Sequence, residues 1–277
     1  FGVRRCKSGA RIYLVQGDRA DMQAAGPDNQ PIAISVVVPV KDEEENVIPL
    51  VTEIVAALDG VESFEIVYVD DGSGDRTPAI LKEPKQKFPM LRSIRHKNGA
   101  GQSNAINTGV HAARGDVIAT LDGDGQNDPA DIPALLKRYR EVSGPEKSLI
   151  MIAGWRAKRK DTWLKRISSK VANGVRSTLL GDATPDTGCG LKVFPRAMFV
   201  GFPAFNHMHR FMPALTIRAG GKVISVPVNH RPRERGQSKY GLFNRLWVGI
   251  VDIFGVMWLK SRPARVEIDT EETSRSS

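Results

Sequence analysis

Val117-Ile118-Ala119-Thr120-Leu121-Asp122-Gly123-Asp124-Gly125-Gln126-Asn127-Asp128 is the stretch on which the reading of this chain turns. A largely apolar run leads straight into carboxylates at alternate positions and then an amide. A buried strand of an open α/β sheet ends this way, with polar residues at the carboxyl edge where such sheets bind ligands. Asp and Gln offer hard oxygen donors, which suit Mg²⁺ or Mn²⁺ and leave room for phosphate oxygens. An acidic, glycine-rich turn has the same residues, because Asp-Gly pairs mark turns. The two readings part on what stands at the other strand ends.

Toward the N-terminus the same unit repeats. Ile34-Ser35-Val36-Val37-Val38, stopped by Pro39, predicts a buried parallel strand. Asp42-Glu43-Glu44-Glu45 follows at a helix start, where carboxylates favour the positive dipole end. Val47, Val51, Ile54 and Leu58 recur at helical spacing. Residues 64–69 predict a second strand, ending in Asp70-Asp71-Gly72-Ser73, with a helix over 76–87. Residues 91–94 predict a third strand and 104–113 a further helix. This alternation predicts an α/β fold with a doubly wound, mostly parallel sheet. Acidic loops after the first, second and fourth strands are then expected to converge. Gly99-x-Gly101-x-x-Asn104 fits a dinucleotide fingerprint poorly, since Asn holds the third position and no acidic ribose partner stands at the expected distance.

Downstream, a helix is expected over 133–142 and a buried strand over 149–153, ending in Gly154-Trp155-Arg156. Basic residues crowd 156–170, and 165–180 reads as an amphipathic helix with Arg166, Ser169, Lys170 and Asn173 on its polar face. Such a cluster is either a solvated face or, directly after a strand end, an anion site. A strand over 187–194, a helix opening at 207–211 and a last strand over 222–226 follow. The histidines lack metal-ligand spacing and read as structural. A second basic loop spans His230 to Gly241. Residues 246–259, with Trp247, Phe254 and Trp258, are too short to cross a bilayer. They suit a helix lying at a membrane interface, or one packed on the core or on another copy.

Domain boundaries are expected as follows: a poorly ordered extension over 1–31, one sheet domain over 32–230, a basic loop and interfacial helices over 231–262, and a disordered tail over 263–277. Lys and Arg number 40 against 31 Asp and Glu, a net +9 that implies an anionic partner. Nucleic acid is disfavoured, because the basic residues stand beside an acidic pocket without interleaved stacking aromatics. Cys6 and Cys189 supply neither a disulfide framework nor zinc spacing. The expected address is cytoplasmic, peripheral at the inner face of the membrane.

Val38-Pro39-Val40-Lys41-Asp42-Glu43-x-x-Asn46, Val69-Asp70-Asp71-Gly72-Ser73, Asn98-Gly99-x-Gly101 and Asp122-x-Asp124-x-Gln126, in that order, resemble family 2 glycosyltransferases of the GT-A fold. Gly154-x-Arg156 and Arg233-x-x-Gly236-x-Ser238-Lys239 are similar to the dolichol/polyprenyl-phosphate mannose synthase branch. The likeness spans about residues 32–245. It implies that Pro39, Lys41 and Glu43 line a base and ribose pocket and that Asp70 holds the base. It places Asp122 by the ribose, sugar and diphosphate, and makes Asp124 and Gln126 ligands of Mg²⁺ or Mn²⁺. It assigns the acceptor phosphate to Arg156, Arg166, Ser169, Arg233 and Lys239, with Lys165 competing for the role of Arg166. Asp122, Asp124, Arg156 and Arg233 then form the catalytic set.

The implied reaction is an inverting, metal-dependent transfer of one hexose to a polyprenyl or dolichyl phosphate, with mannose from GDP-mannose as the leading donor. The Gln-x-x-Arg-Trp signature of processive polymer synthases is absent, which argues for a single transfer. A lipid phosphate needs no general base, because its second pKa lies near about 6 by analogy with phosphoserine. It needs cations that bind its spare oxygens, a task for Arg. A UDP-hexose donor or a hydroxyl acceptor is one alternative. A catalytically silent sugar-nucleotide-binding membrane scaffold is another. Expected partners are the donor, the lipid acceptor, a membrane surface, and a separate membrane-anchoring subunit or a second copy.

Overall fold

A computed structural model describes residues 31–83, 87–157, 174, 179–182, 184–232 and 242–262. Strand β1 (Ile34–Val40) is flanked by β2 (Phe64–Asp70) and β4 (Val117–Thr120), with β3 (Leu91–Arg95) outside β2. These four strands are parallel. β5 (Ile150–Trp155), β6 (Lys192–Pro195) and β7 (Lys222–Pro227) complete a sheet of order β3-β2-β1-β4-β6-β5-β7. The chain steps outward from β1 to β3 and then returns to the other side of β1. The strand order therefore reverses between β1 and β4, which opens a crevice at their carboxyl ends.

Both faces of the sheet are covered, which is why its strands read as continuous apolar runs. Successive β1 residues point to opposite faces. Val36 and Val38 pack with α1 (Val47–Leu58) and α4 (Ile132–Arg140), through Leu50, Ile54, Ile132 and Leu135. Val37 joins α3 (Gln102–Ala112), α5 (Arg196–Val200) and α6 (Met212–Arg218) on the other face, through Ala105, Val110, Phe199 and Leu215.

Several elements depart from expectation for physical reasons. β1 runs on through Pro39. Val37 accepts the Leu121 amide on the β4 side, so Pro39 faces that same side beyond the end of β4 at Thr120. The N–H that proline lacks has no strand to meet there. Of the helix expected over 76–87, the described residues form α2 (Thr77–Ile80). Pro84 has no N–H for the carbonyl of Ile80 and disfavours helical geometry at Glu83. The strand expected over 187–194 starts at Lys192 and runs antiparallel to both β4 and β5.

The acidic run 42–45 is not in the first turn of α1, which begins at Val47 and carries no acidic residue there. It knits the β1 loop to the β2 loop instead. Asp42 accepts the Gly74 amide at 2.6 Å, Glu44 accepts the Arg76 amide at 2.9 Å, and the Glu43 amide donates to Thr77 Oγ1 at 2.9 Å.

The C-terminal apolar stretch forms α7 (Leu242–Ser261). Val256 is buried against Leu180, Phe211 and Ala214, and Arg218 caps the helix end by donating to Leu259 O at 2.8 Å. On the opposite face Val251, Phe254 and Trp258 are 55, 64 and 61% exposed, at the i, i+3, i+7 spacing of one stripe. Among the described residues no helix is long and apolar enough to cross a membrane. The expected N-terminal extension short of Pro31, most of the helix over 165–180, the loop 233–241 and the tail 263–277 lie outside the described residues.

Candidate active site

A cleft of about 470 Å³ opens at the β1/β4 crevice, between the start of α3 and residues 187–192. Pro39, Lys41 and Glu43 enter it from β1, and Asp122, Asp124 and Gln126 from the loop after β4. Asp71 enters from the end of β2. The three acidic strand ends singled out in the sequence therefore meet in one place.

Asp122 stands at the cleft floor and is held from three sides. Its backbone amide donates to Asn127 Oδ1 at 3.1 Å, and Gln102 Nε2 donates to its Oδ1 at 2.7 Å. Gly190 presses on it from β6's approach, where a β-carbon would overlap the carboxyl group. Thr120 Oγ1 fixes that glycine by donating to its carbonyl at 2.7 Å. Burial and the charge of Asp124 push the Asp122 carboxyl up to about 6, against the pull of Lys192, Arg156 and the Gln102 amide. Asp124 closes its own turn by accepting the Gln126 amide at 3.1 Å. Gly123 between them has no room for a side chain, since a β-carbon would come within 2.8 Å of Pro39 O.

These residues suit a divalent cation. Asp122, whose ionisation the neighbouring Asp124 charge makes costlier, sits with Asp124 next to an amide oxygen, all hard donors. Among the described residues no group of three or more His, Cys, Asp or Glu side chains could hold an ion alone. An ion here would complete its shell with substrate phosphate oxygens and water, the habit of Mg²⁺.

The second strand end divides its labour between neighbours. Asp70 lies beneath the cleft, accepting the Ser73 amide at 2.8 Å and pairing with Arg95 at 3.2 Å. Asp71, not Asp70, reaches the cleft. It accepts the amides of Ala100 and Gly101 at 2.8 and 2.7 Å and contacts His96 Nδ1 at 2.8 Å. Burial alone would raise its pKa; those donors outweigh it and hold the carboxyl below 3.8. Asp71 thus shapes the loop that opens α3. Gly72 lets that loop pack closely, since a β-carbon there would lie 2.8 Å from Gly99 N.

On the basic side, Arg156 stands behind the cleft wall at Gly188 rather than in the cleft. Asp186 takes its Nε and Nη2 at 2.6 and 2.8 Å. Lys192 lines the cleft, 3% exposed, with its ammonium donating to Cys189 O. Burial pulls its pKa down, against the neighbouring Cys189, Asp122 and Asp186. His209 also lines the cleft and bonds Ser103 Oγ at 2.7 Å. Arg166, Ser169, Arg233 and Lys239 lie outside the described residues.

Lys192, Gln102, Asp71 and Asp186 were not assigned roles from the sequence. Asp71 and Gln102 stand inside quoted motifs, so adjacency could have found them. Lys192 is one charge in an apolar strand, a signal that does point to a buried function. Asp186 gave no signal of its pairing 30 residues away.

Residues 35–199 match the Glycosyl transferase family 2 profile. The chain belongs to glycosyl transferase family 2. It is 34% identical over 241 residues to the dodecaprenyl-phosphate galacturonate synthase of Rhizobium johnstonii, covering 85% of this chain and 70% of that protein. It is also 34% identical over 212 residues to the undecaprenyl-phosphate 4-deoxy-4-formamido-L-arabinose transferase of Edwardsiella ictaluri, covering 76% of this chain and 63% of that one. Among solved structures, glucosyl-3-phosphoglycerate synthase from Mycobacterium tuberculosis in complex with Mg²⁺ and UDP shares the fold of this family 2 chain. The TM-score is 0.60 at 15% identity, over 87% of this chain and 82% of that one.

Proposed function

We propose that this family 2 chain transfers a single sugar from a nucleotide sugar to a polyprenyl phosphate, with inversion and with a divalent metal. The observation that carries the reading is the meeting of Lys41, Glu43, Asp122, Asp124 and Gln126 in one cleft at the strand-order switch. Support for the acceptor comes from relatives at 34% identity that are named for transfer onto dodecaprenyl and undecaprenyl phosphate. Those relatives carry galacturonate and a formamido-arabinose, so the donor is taken as a nucleotide-activated pyranose, with GDP-mannose as one candidate among several.

In this reading Pro39, Lys41 and Glu43 hold the nucleoside, and Asp71 keeps the neighbouring loop in place. Asp122, fixed by Gln102 and Gly190, orients the sugar. A phosphate oxygen of the acceptor forms the new bond to the anomeric carbon. The bond from that carbon to the diphosphate breaks, and its electron pair leaves on the diphosphate oxygen. Attack from the face opposite the leaving group inverts the centre. Asp124 and Gln126 would hold a divalent cation, which when bound would neutralise the departing charge as a Lewis acid. The resemblance assigns the acceptor phosphate to Arg156, Arg166, Ser169, Arg233 and Lys239; of these, Arg156 is held by Asp186 through Nε and Nη2 behind the cleft wall. The exposed stripe of α7 rests on the membrane that holds the lipid.

Incubation with Mg²⁺ or Mn²⁺, polyprenyl phosphate and GDP-mannose, UDP-glucose, UDP-galacturonate or UDP-formamido-arabinose tests this. The expected product is a lipid-linked sugar of inverted anomeric configuration with one donor strongly preferred. Transfer with retention, or to water alone with every donor, contradicts it.

A further inference from the structure

The sheet order β1-β4-β6-β5 lays out the cleft floor as a line. Lys41 and Glu43 come from the β1 end and Asp122 from the β4 end. Lys192 is the first residue of β6. Because β6 runs antiparallel to β4 and β5, that first residue stands at their carboxyl edge, paired with Thr120 on one side and Ala153 on the other. Seen from Lys41 and Glu43, Lys192 therefore lies on the far side of the strand that carries Asp122.

Its ammonium is placed to meet a charge that the protein does not supply. Lys192 lines the cleft and is nine-tenths or more buried, at 3% exposure. An ammonium has several N–H donors, and Cys189 O takes one of them. Among the described residues no carboxylate forms an ion pair with it. Asp122 acts on it through space, while Asp122 Oδ1 itself accepts from Gln102. A buried cation is costly to keep without a partner. One that lines a cleft points to an anion that a substrate brings.

Inversion decides which anion. With the nucleoside on the β1 side and the sugar at Asp122, the attacking oxygen comes from the face opposite the diphosphate, which is the β6 side. Arg156, next along at the end of β5, stands behind the wall at Gly188 with Nε and Nη2 engaged by Asp186. The buried cation that does reach the cleft on that side is Lys192. We propose that Lys192 is a further catalytic residue, whose ammonium contacts a spare oxygen of the acceptor phosphate beside Asp122. It offsets the repulsion that the phosphate meets from Asp122 and Asp124, and burial strengthens that attraction. The inference rests on the polyprenyl-phosphate reading above.

The test compares wild type with Lys192→Met, which removes the charge and keeps an unbranched chain, and with Lys192→Arg. Two quantities are measured: the Kd for UDP or GDP with Mn²⁺, and kcat and KM for polyprenyl phosphate with the preferred donor. Nucleotide Kd is expected to stay within about threefold, while kcat/KM for the acceptor falls about 100-fold or more in Lys192→Met, the scale of one lost electrostatic contact. Lys192→Arg, which keeps the charge, recovers part of the loss. Wild-type transfer by Lys192→Met overturns the inference. An equal loss of nucleotide binding and transfer also overturns it, because the ammonium would then serve the donor or the fold. Should Lys192→Met fail to fold, Lys192→Gln carries the same comparison. A wild type that transfers to no polyprenyl phosphate overturns the function reading itself, and this inference with it.

Discussion

Gly190 and Asp122 are in direct contact, with the glycine's bare α-carbon facing the carboxyl group where any side chain would overlap it. Two loops separated by about 70 residues thus define one carboxylate position, and Gln102 closes it from a third. Gly190→Ala is expected to push Asp122 aside. Overpacking of this kind costs about 1–3 kcal/mol of stability, and a shift of about 1 Å at a reacting centre costs about 10²-fold in rate. Steady-state kinetics with a folded Gly190→Ala protein checks this. Turnover within threefold of wild type would show that the Asp122 position is not critical.

His209 supplies a pH dependence. Burial, reinforced by Arg210, Lys192 and His207, lowers its pKa from 6.5 to about 3. Between those values the unfolded chain binds the proton and the folded chain does not, so stability rises with pH across the window. The contribution is complete above 6.5 and is lost progressively as pH falls toward 3. Denaturant titrations at intervals from pH 7 to 4 should show a shallower slope in His209→Gln. Identical slopes in the two proteins would mean that the folded imidazole takes up its proton as readily as the unfolded one.

The exposed stripe of α7 makes a third expectation. Phe254→Ser with Trp258→Ser removes apolar area whose burial is worth about 1.5–3 kcal/mol per large side chain. Binding to vesicles that contain anionic lipid should fall about tenfold or more, while turnover of a short, water-soluble prenyl phosphate is kept. Unchanged vesicle binding would assign that face to something other than lipid.

Much of this arrangement was legible in the residues. The β-branched runs at 34–38, 64–69 and 117–121 gave the parallel strands, and their order placed the acidic loops at one edge. Other features were not, for definite reasons. Strands buried on both faces read the same in either direction, so the antiparallel course of β6 left no mark in its composition. Which of Asp70 and Asp71 faces the cleft depends on where the pleat of β2 ends, one residue later than expected. The run 42–45 looked like dipole-complementing residues because its partners, Gly74, Arg76 and Thr77, are over 30 residues away. The bidentate hold of Asp186 on Arg156 was hidden for the same reason. Local pattern gives elements and their ends; pairings across long separations come only with the fold.

The central claim is that Asp124 and Gln126 serve a metal-dependent donor site whose sugar goes to a phosphate. Its most direct test gives the protein its preferred donor with Mg²⁺, and compares polyprenyl phosphate with the matching polyprenol, with and without EDTA, in wild type and Asp124→Ala. Labelled lipid is predicted with the phosphate alone, lost with EDTA, and reduced by about 10³-fold or more in Asp124→Ala, the scale on which a lost electrostatic stabiliser acts. Equal transfer to polyprenol, or full activity in Asp124→Ala, would contradict the account.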